Sequence, residues 1–462
     1  MAVRREPTRP ASTRGEMTRR GLMASACGAP ALLAASAAKS AVEAPAVFRS
    51  DLPQDRHVVI LGAGAAGLAA AAECARLGKS YVVIEARTRV GGRVFTDDSL
   101  GAPFDAGALF LHWGERNPWR EAAKRLGVRL VDEPSGAFRV INRDDVTGAA
   151  LSAPRRSQFR RLSELLDGPA VDDISVDAIA HRAGLDAAAS GLTRMSLGEE
   201  PQRVSARDYA RLWSGDDLVA PDGFGRLVAA FAHGLDVVTN CAATGVNWEG
   251  AGVSVETTRG TLRAKAAIVT LPVGVLKSGA VAFRPGLPTH SLRALEGLDM
   301  GVLTKIALAF DGDKLGMEGP TDIILRDGQT LIDFDCWGFG RPLVIGYVGG
   351  DAARAMNRLG AEGAIRAAFE SFVSVVGGEA RRQFRGGRFY GWADDPLSLG
   401  SYSHALPGHA QARAALAAPV GGRLFFAGEA TGGEGGDYGG AMTAGGAYLA
   451  GRDAARAVAA IR

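Results

Sequence analysis

Hydrophobic and polar positions divide this chain into readable blocks. The apolar run from His57 to Leu61 predicts a buried strand. An Ala-rich stretch then predicts a helix to about Leu77, stopped by Gly78, and a second apolar run, Tyr81 to Ile84, ends at Glu85. A short helix is predicted from about Pro118 to Leu126, followed by the strand-like Arg129-Leu130-Val131. Residues 150 to 215 are mainly helical in pattern, with a charged face over Arg155 to Leu166. Strands are predicted at Val237-Val238, Val253-Ser254-Val255 and Ala267 to Thr270. Val302 to Phe310 alternates as a strand, and further strands are predicted at Thr330 to Phe334 and Leu343 to Val348. A helix is predicted over Ala361 to Val376. Arg423 to Glu429 reads as a strand running into a turn, Gly432 to Gly440 is glycine-rich, and a last helix is predicted from about Met442 to Ile461. Strands interleaved with helices in this way predict an α/β chain.

The first block carries the most chemistry. Gly62, Gly64 and Gly67 form G-x-G-x-x-G between a strand and a helix, and Glu85 stands at the end of the next strand. This is the pattern of a βαβ dinucleotide-binding unit. Gly62 permits the tight turn, Gly64 lets a pyrophosphate approach the backbone, and Gly67 lets helix and strand pack closely. The helix N-terminus offers N–H groups and the positive end of its dipole to phosphates. A carboxylate at Glu85 can accept hydrogen bonds from a ribose. The unit alone does not distinguish NAD from FAD.

A chain of 462 residues is too long for one small core and predicts two or three domains. The net charge of +3 is unevenly placed, because residues 1 to 44 hold seven basic residues against three acidic ones. The remainder is close to neutral, which removes the main argument for a nucleic-acid partner. The basic leader contains Thr18-Arg19-Arg20-Gly21-Leu22-Met23, an apolar Ala-rich stretch to Ala38, and a candidate cleavage site at Val42-Glu43-Ala44. It resembles a bacterial Tat signal peptide, so export to the periplasm or beyond through the Tat machinery is expected, with no stable membrane span. Beyond the leader stand only Cys74, Cys241 and Cys336, too few for a disulfide framework, and the seven histidines are scattered, so no metal site is expected.

Further motifs follow the βαβ unit in order. They are Arg87 to Arg93, Asp105 to Pro118, Thr270 to Lys277, Thr304-Lys305-Ile306, Trp392 to Tyr402, and Leu424 to Glu429 with the closing helix. In this order they resemble the flavin-containing amine oxidase family, which includes monoamine oxidases, polyamine oxidases and related histone demethylases. The resemblance spans nearly all of residues 57 to 460. It implies a discontinuous Rossmann-like FAD-binding domain (residues 55–135, 221–285 and 396–462) and an α+β substrate domain with a mixed sheet (residues 136–220 and 286–395), after a signal peptide at 1–44.

The resemblance also assigns roles. Glu85 would hold the adenosine ribose, and Gly62, Gly64 and Gly67 the pyrophosphate. Arg87, Gly91, Gly92 and Arg93 would form a second cofactor-binding turn, and Gly428 and Glu429 would contact the pyrophosphate and ribityl portion. Lys305 is the sharpest catalytic candidate, implied to hold a water near the flavin. Apolar Val302, Leu303, Ile306 and Leu308 around it predict that it is buried and its pKa depressed. Trp392 and Tyr402 would be aromatic walls at the flavin face. His112, Trp113, Tyr402 and Thr443 would line the substrate, Thr443 standing where monoamine oxidases carry a second aromatic. Ser401 occupies the position of the cysteine that bonds to flavin in monoamine oxidases, so non-covalent FAD is expected. Gly107-Ala108-Leu109-Phe110 lacks the arginine by which related amino-acid oxidases hold a carboxylate.

The implied reaction is oxidation of an amine to an imine, hydrolysed to an aldehyde or ketone, with O2 reduced to H2O2. Alternatives are a dehydrogenase that passes electrons to a periplasmic carrier, a flavin desaturase or L-amino-acid oxidase, and a flavin-binding partner protein without turnover. Neither the amine nor the oligomeric state is legible.

Overall fold

The computed structural model describes residues 51–53, 55–133, 137–142, 153–167, 171–212, 215–312, 314–327, 330–433 and 438–461. The predicted leader, the start of the linker after it and part of the glycine-rich stretch 432–440 lie outside these residues.

Two sheets organise the described chain. In the first, the strands Arg56–Leu61 and Tyr81–Ile84 run parallel, Val59 facing Val82 and Leu61 facing Ile84. On its other side Arg56–Leu61 runs parallel to Gly260–Val269. Val237–Val238 and Leu424–Phe426 add parallel strands, and Val253–Thr257, Ala243–Asn247 and Ala282–Arg284 extend one edge. Strands from three separated stretches of sequence therefore form one sheet of eight. Its central strands are apolar on both faces, as a parallel sheet covered on both sides requires, and Val58, Val59, Ile60 and Leu61 are fully buried.

The helix Ala65–Arg76 packs on this sheet beside the closing helix Ala444–Ala459. Their approach is backbone to backbone: a Cβ on Gly451 would stand 2.0 Å from the Ala66 carbonyl oxygen. The closing helix starts two residues later than the hydrophobic pattern suggests. Met442 takes a φ of +66° and Thr443 caps the first turn, its Oγ1 accepting the Gly446 N–H at 2.9 Å.

The second sheet has the order Phe384–Gly391, Leu303–Phe310, Leu343–Gly349, Thr330–Cys336, Thr321–Asp327, Ala137–Asn142. It is mixed, since the last pair is parallel and the others antiparallel. Helices Gly360–Val376 and Gly350–Arg358 cover one face, burying Ile306, Leu308, Phe334, Val344 and Phe372. The opposite face, carrying Lys305, Tyr347 and Asp333, lines a cavity. A smaller helical cluster (Ala153–Leu166, Val176–Arg182, Asp186–Leu197, Ala206–Ala210) closes another side with Leu192 and Met195. No helix among the described residues is long and apolar enough to cross a membrane.

Candidate active site

The cavity measures ≈ 580 Å³ and runs from Glu85 to the face of the second sheet. Its first end is the glycine turn. A Cβ on Gly67 would lie 1.9 Å from the Gly62 carbonyl oxygen, so helix and strand meet there through bare backbone. Gly64 is different: a Cβ there would meet nothing within 4 Å, because it would point into the cavity. Gly428, on a turn from the far end of the chain, opens on the same space in the same way. The first-turn N–H groups at Ala65 and Ala66 complete an anion cradle. The buried Glu85 carboxylate accepts the Ala63 and Arg87 N–H groups, both at 2.8 Å. Burial nevertheless pushes its carboxyl up, so a hydroxyl donor there would be welcome. An open groove beside a helix N-terminus, with a carboxylate at its end, fits the adenosine and pyrophosphate of FAD.

The second turn joins chain segments more than 300 residues apart. Arg87 is ion-paired with Asp395 and donates to Ser398 Oγ at 3.2 Å. Gly91 and Gly92 take φ values of +93° and +58°, left-handed conformations that glycine adopts without cost. Arg93 donates to the Ser401 carbonyl at 2.9 Å and to Glu429 at 3.1 Å. Glu429 also accepts from Ser403 N and, at 2.7 Å, from Ser403 Oγ. Its carboxylate is thus part of an internal network continued by Arg413 and Asp208, and what it offers the cavity is a fixed wall. The Ser401 hydroxyl is likewise engaged, accepting from Leu303 N at 2.8 Å and donating to Leu303 O at 2.9 Å.

Lys305 lies where these walls meet the second sheet. It is only 5% exposed, and its Nζ donates to the carbonyls of Asp105 at 2.8 Å and Gly107 at 2.7 Å. Burial lowers its pKa to about 8, against the pull of Asp105 and Asp335. The Asp105 carboxylate is fixed by Thr96 Oγ1 at 2.5 Å and by the Phe224 and Gly225 N–H groups at 2.9 and 3.1 Å, so the carbonyl that holds the lysine is itself anchored. Trp392 is buried, donates Nε1–H to the Ala106 carbonyl at 3.0 Å and stacks on Tyr390. Trp392 and Tyr402 both line the cavity.

Beyond Lys305 the cavity becomes acidic. Lys305, Tyr347 and Asp333 face one another in register on three adjacent strands, and Asp335 faces Asp322 on the next pair. Asp322, Asp333 and Asp335 are half-buried, Glu133 joins them from an exposed edge, and all four line the cavity. Among the described residues no salt bridge or side-chain hydrogen bond neutralises them. Burial, then the neighbouring carboxylates, pushes Asp333 up to about 8, and burial with Asp335 pushes Asp322 up to about 7. The Asp335 carboxyl is also raised, chiefly by burial.

The cavity brings together Gly62, Gly64, Glu85, Arg87, Gly91, Gly92, Arg93, His112, Lys305, Trp392, Tyr402, Gly428, Glu429 and Thr443. Gly67 lies beneath it as a packing residue. Trp113 is not among its lining residues: the indole lies against Gly215, where a Cβ would come within 2.6 Å, and under the Arg116 guanidinium. Thr443 borders the space, but its hydroxyl is committed to capping the last helix, donating to Gly440 O at 2.7 Å. The acidic residues were missed in the sequence. Their only signal was the alternation Ile332-Asp333-Phe334-Asp335-Cys336, which reads equally as a strand with one wet face.

The family model of flavin-containing amine oxidoreductases matches residues 65–209 and 204–459. Among individual proteins, the chain is similar to polyamine oxidase 4 of Oryza sativa subsp. japonica, with 30% identity over 81% of this chain and 83% of that protein. It is also similar to lysine-specific histone demethylase 1 homolog 3 of the same plant, with 30% identity over 84% of this chain but only 53% of the relative. Among solved structures, cyclohexylamine oxidase from Brevibacterium oxydans shares the fold at 21% identity with a TM-score of 0.73, over 88% of this chain and 99% of that one. A wild-type putrescine oxidase bound to putrescine shares it at 20% identity with a TM-score of 0.72, over 87% of this chain and 98% of that one.

Proposed function

This chain belongs to the flavin-containing amine oxidoreductases and is an FAD-dependent enzyme acting on amines; we propose that its substrate is an amine with a second cationic nitrogen, a diamine or polyamine, and that O2 accepts the electrons and leaves as H2O2. The observation that carries the substrate class is the row of carboxylates facing the cavity beside Lys305. Two strand spacings separate Lys305 from Asp333 across the sheet, on the order of 10 Å between their backbones. An amine whose reacting carbon lies near Lys305, between the Trp392 and Tyr402 walls, places a distal ammonium among Asp333, Asp335 and Asp322. That cation forms the direct ion pair that these carboxylates make with no described residue, and they hold the far end while the near end reacts. The names of the polyamine and putrescine oxidases similar to this chain agree with this reading.

When bound, FAD supplies the two-electron acceptor for the amine's C–H bond. The protein's part is orientation and electrostatics. Trp392, held by Ala106, forms a rigid apolar wall. Lys305, held by two carbonyls, keeps a cation beside the place where reduced oxygen carries negative charge. The cofactor is held non-covalently, a reading supported by the engagement of the Ser401 hydroxyl with Leu303. The twin-arginine leader supports export of the folded, flavin-loaded protein, and activity in the periplasmic fraction is the outcome it requires.

Anaerobic mixing of the purified holoenzyme with putrescine, spermidine and monoamines of matching chain length tests the substrate class. The diamine and triamine are expected to bleach the flavin at lower concentration than the monoamines. Asp333→Asn with Asp335→Asn is expected to raise the KM for putrescine at least tenfold and to leave monoamines nearly unchanged. Equal treatment of mono- and diamines overturns the second-cation reading. Slow recovery of colour in air points to a carrier in place of O2.

A further inference from the structure

A polar pair at the cavity wall joins two short strands of a third sheet. The short strands Phe110–Leu111 and Leu218–Val219 pair antiparallel, Phe110 facing Val219 and Leu111 facing Leu218. The next rung of that register sets His112 opposite Asp217. Their side chains meet there, His112 Nδ1 lying 2.8 Å from Asp217 Oδ2. The other carboxylate oxygen, Oδ1, accepts the Trp113 N–H at 3.2 Å. Gly114 N donates to the Asp216 carbonyl at 2.7 Å, and Asn117 Nδ2 donates to the His112 carbonyl at 2.9 Å. Gly215, against the Trp113 ring, leaves no room for a side chain. The loop before Leu218 is thus clasped onto the His112 segment at several points. Both side chains of the pair are largely buried, at 17% and 10% exposure, and the histidine lines the cavity.

We propose that Asp217 is a positioning residue for amine oxidation. Its carboxylate keeps the His112 proton on Nδ1 and sets the ring plane, which makes Nε2 the acceptor for a proton of the incoming ammonium. The inference rests on the amine reading, because a hydride equivalent leaves the α-carbon only of a neutral amine. In the step, one N–H bond of the ammonium breaks and its electron pair stays on the amine nitrogen. A bond forms between that proton and His112 Nε2, and the Asp217 carboxylate balances the imidazolium. Charges of both signs surround the pair. Glu133 is close enough for Asp217 to influence its ionisation, and Asp322 and Asp335 act on it from the second sheet. The Arg116 guanidinium lies over Trp113, stacked on the indole.

Two measurements on the full-length holoenzyme decide the matter. Nitrogen-15 spectra of histidine-labelled protein, assigned with His112→Gln, read the tautomer without any turnover. The Nδ1–H form is expected in the native enzyme, and a mixture in Asp217→Asn. Stopped-flow reduction by an amine is expected to slow about tenfold in Asp217→Asn, the worth of one charge-assisted hydrogen bond. The acid limb of its pH profile should move to lower pH, because the anion that favours the imidazolium is gone. Asp217→Glu should recover part of the rate, and Asp217→Asn should cost nothing further in a His112→Gln background. An unchanged tautomer, an unchanged pH profile, or an equal loss in both backgrounds overturns the proposal. A native enzyme that holds the Nδ1–H tautomer yet is bleached by no amine overturns the proton-acceptor role together with the substrate reading, and leaves the positioning contact standing.

Discussion

At the scale of single residues, the lysine and the aspartates of the second sheet show how far a side chain's neighbours disclose its surroundings. Lys305 has apolar residues near it on both sides, which raises the expectation of burial that the structure bears out. Its clamp by the Asp105 and Gly107 carbonyls has no such local signal, because those residues lie about 200 positions earlier. The unfolded lysine keeps its proton to near 10.5, while the folded one releases it at about 8. The unfolded state therefore binds more protons between those values, and this group makes stability rise with pH across that window. Lys305→Met should abolish that rise in denaturant midpoints measured from pH 7.5 to 10. The same variant should retain FAD but reoxidise it at least tenfold more slowly, and the native rate should fall as pH passes through about 8. Reoxidation that is unchanged in Lys305→Met removes the lysine from the chemistry. Asp333 and Asp335 were illegible for a different reason. Alternation says which side of a strand a residue faces, and it is silent on whether that side meets water or a cavity.

At the scale of elements, the βαβ unit was readable almost to the residue. The predicted strand His57 to Leu61 is observed as Arg56–Leu61, and the predicted Tyr81 to Ile84 is observed with the same bounds. Its glycines differ in what they tolerate. Gly67→Ala forces a methyl into the Gly62 carbonyl and should destabilise the protein severely, by several degrees or more in Tm even without flavin. Gly64→Ala meets no protein atom, so the apoprotein should keep its Tm while FAD affinity falls at least tenfold. A large loss of apoprotein stability in Gly64→Ala would contradict the view that this position is reserved for the cofactor. Other elements escaped the pattern. Thr321–Asp327 and Phe384–Gly391 are strands that complete the second sheet. The first carries Asp322 and Asp327 near its ends and the second holds Gly386 and Gly387, residue types that depress strand propensity. Pairing with their neighbours overrides that weak local preference.

At the scale of the whole molecule, the cavity couples folding, charge and ligand. Carboxyl groups of unfolded chains ionise near pH 4, whereas Asp322 and Asp333 do so at about 7 and about 8. Between those limits the folded protein holds protons that the unfolded chain has lost. Stability from these groups is therefore full below about pH 4 and falls as pH rises to about 8. Putrescine should raise the Tm of the apoprotein more at pH 8 than at pH 5, because only at the higher pH are the carboxylates ready to be paired. Equal shifts at the two values would argue against a cation seat. The sequence by itself determined the nucleotide turn, the buried strands and the order of motifs that marks the family. Local periodicity and glycine spacing are properties of neighbouring residues, so they survive without a fold. The tertiary structure alone decided which distant residues meet: Arg93 with Glu429, Asp105 with Lys305, His112 with Asp217, and the acidic strands with the lysine. Strand register and chain crossing set those meetings, and they are written in no single stretch of the chain.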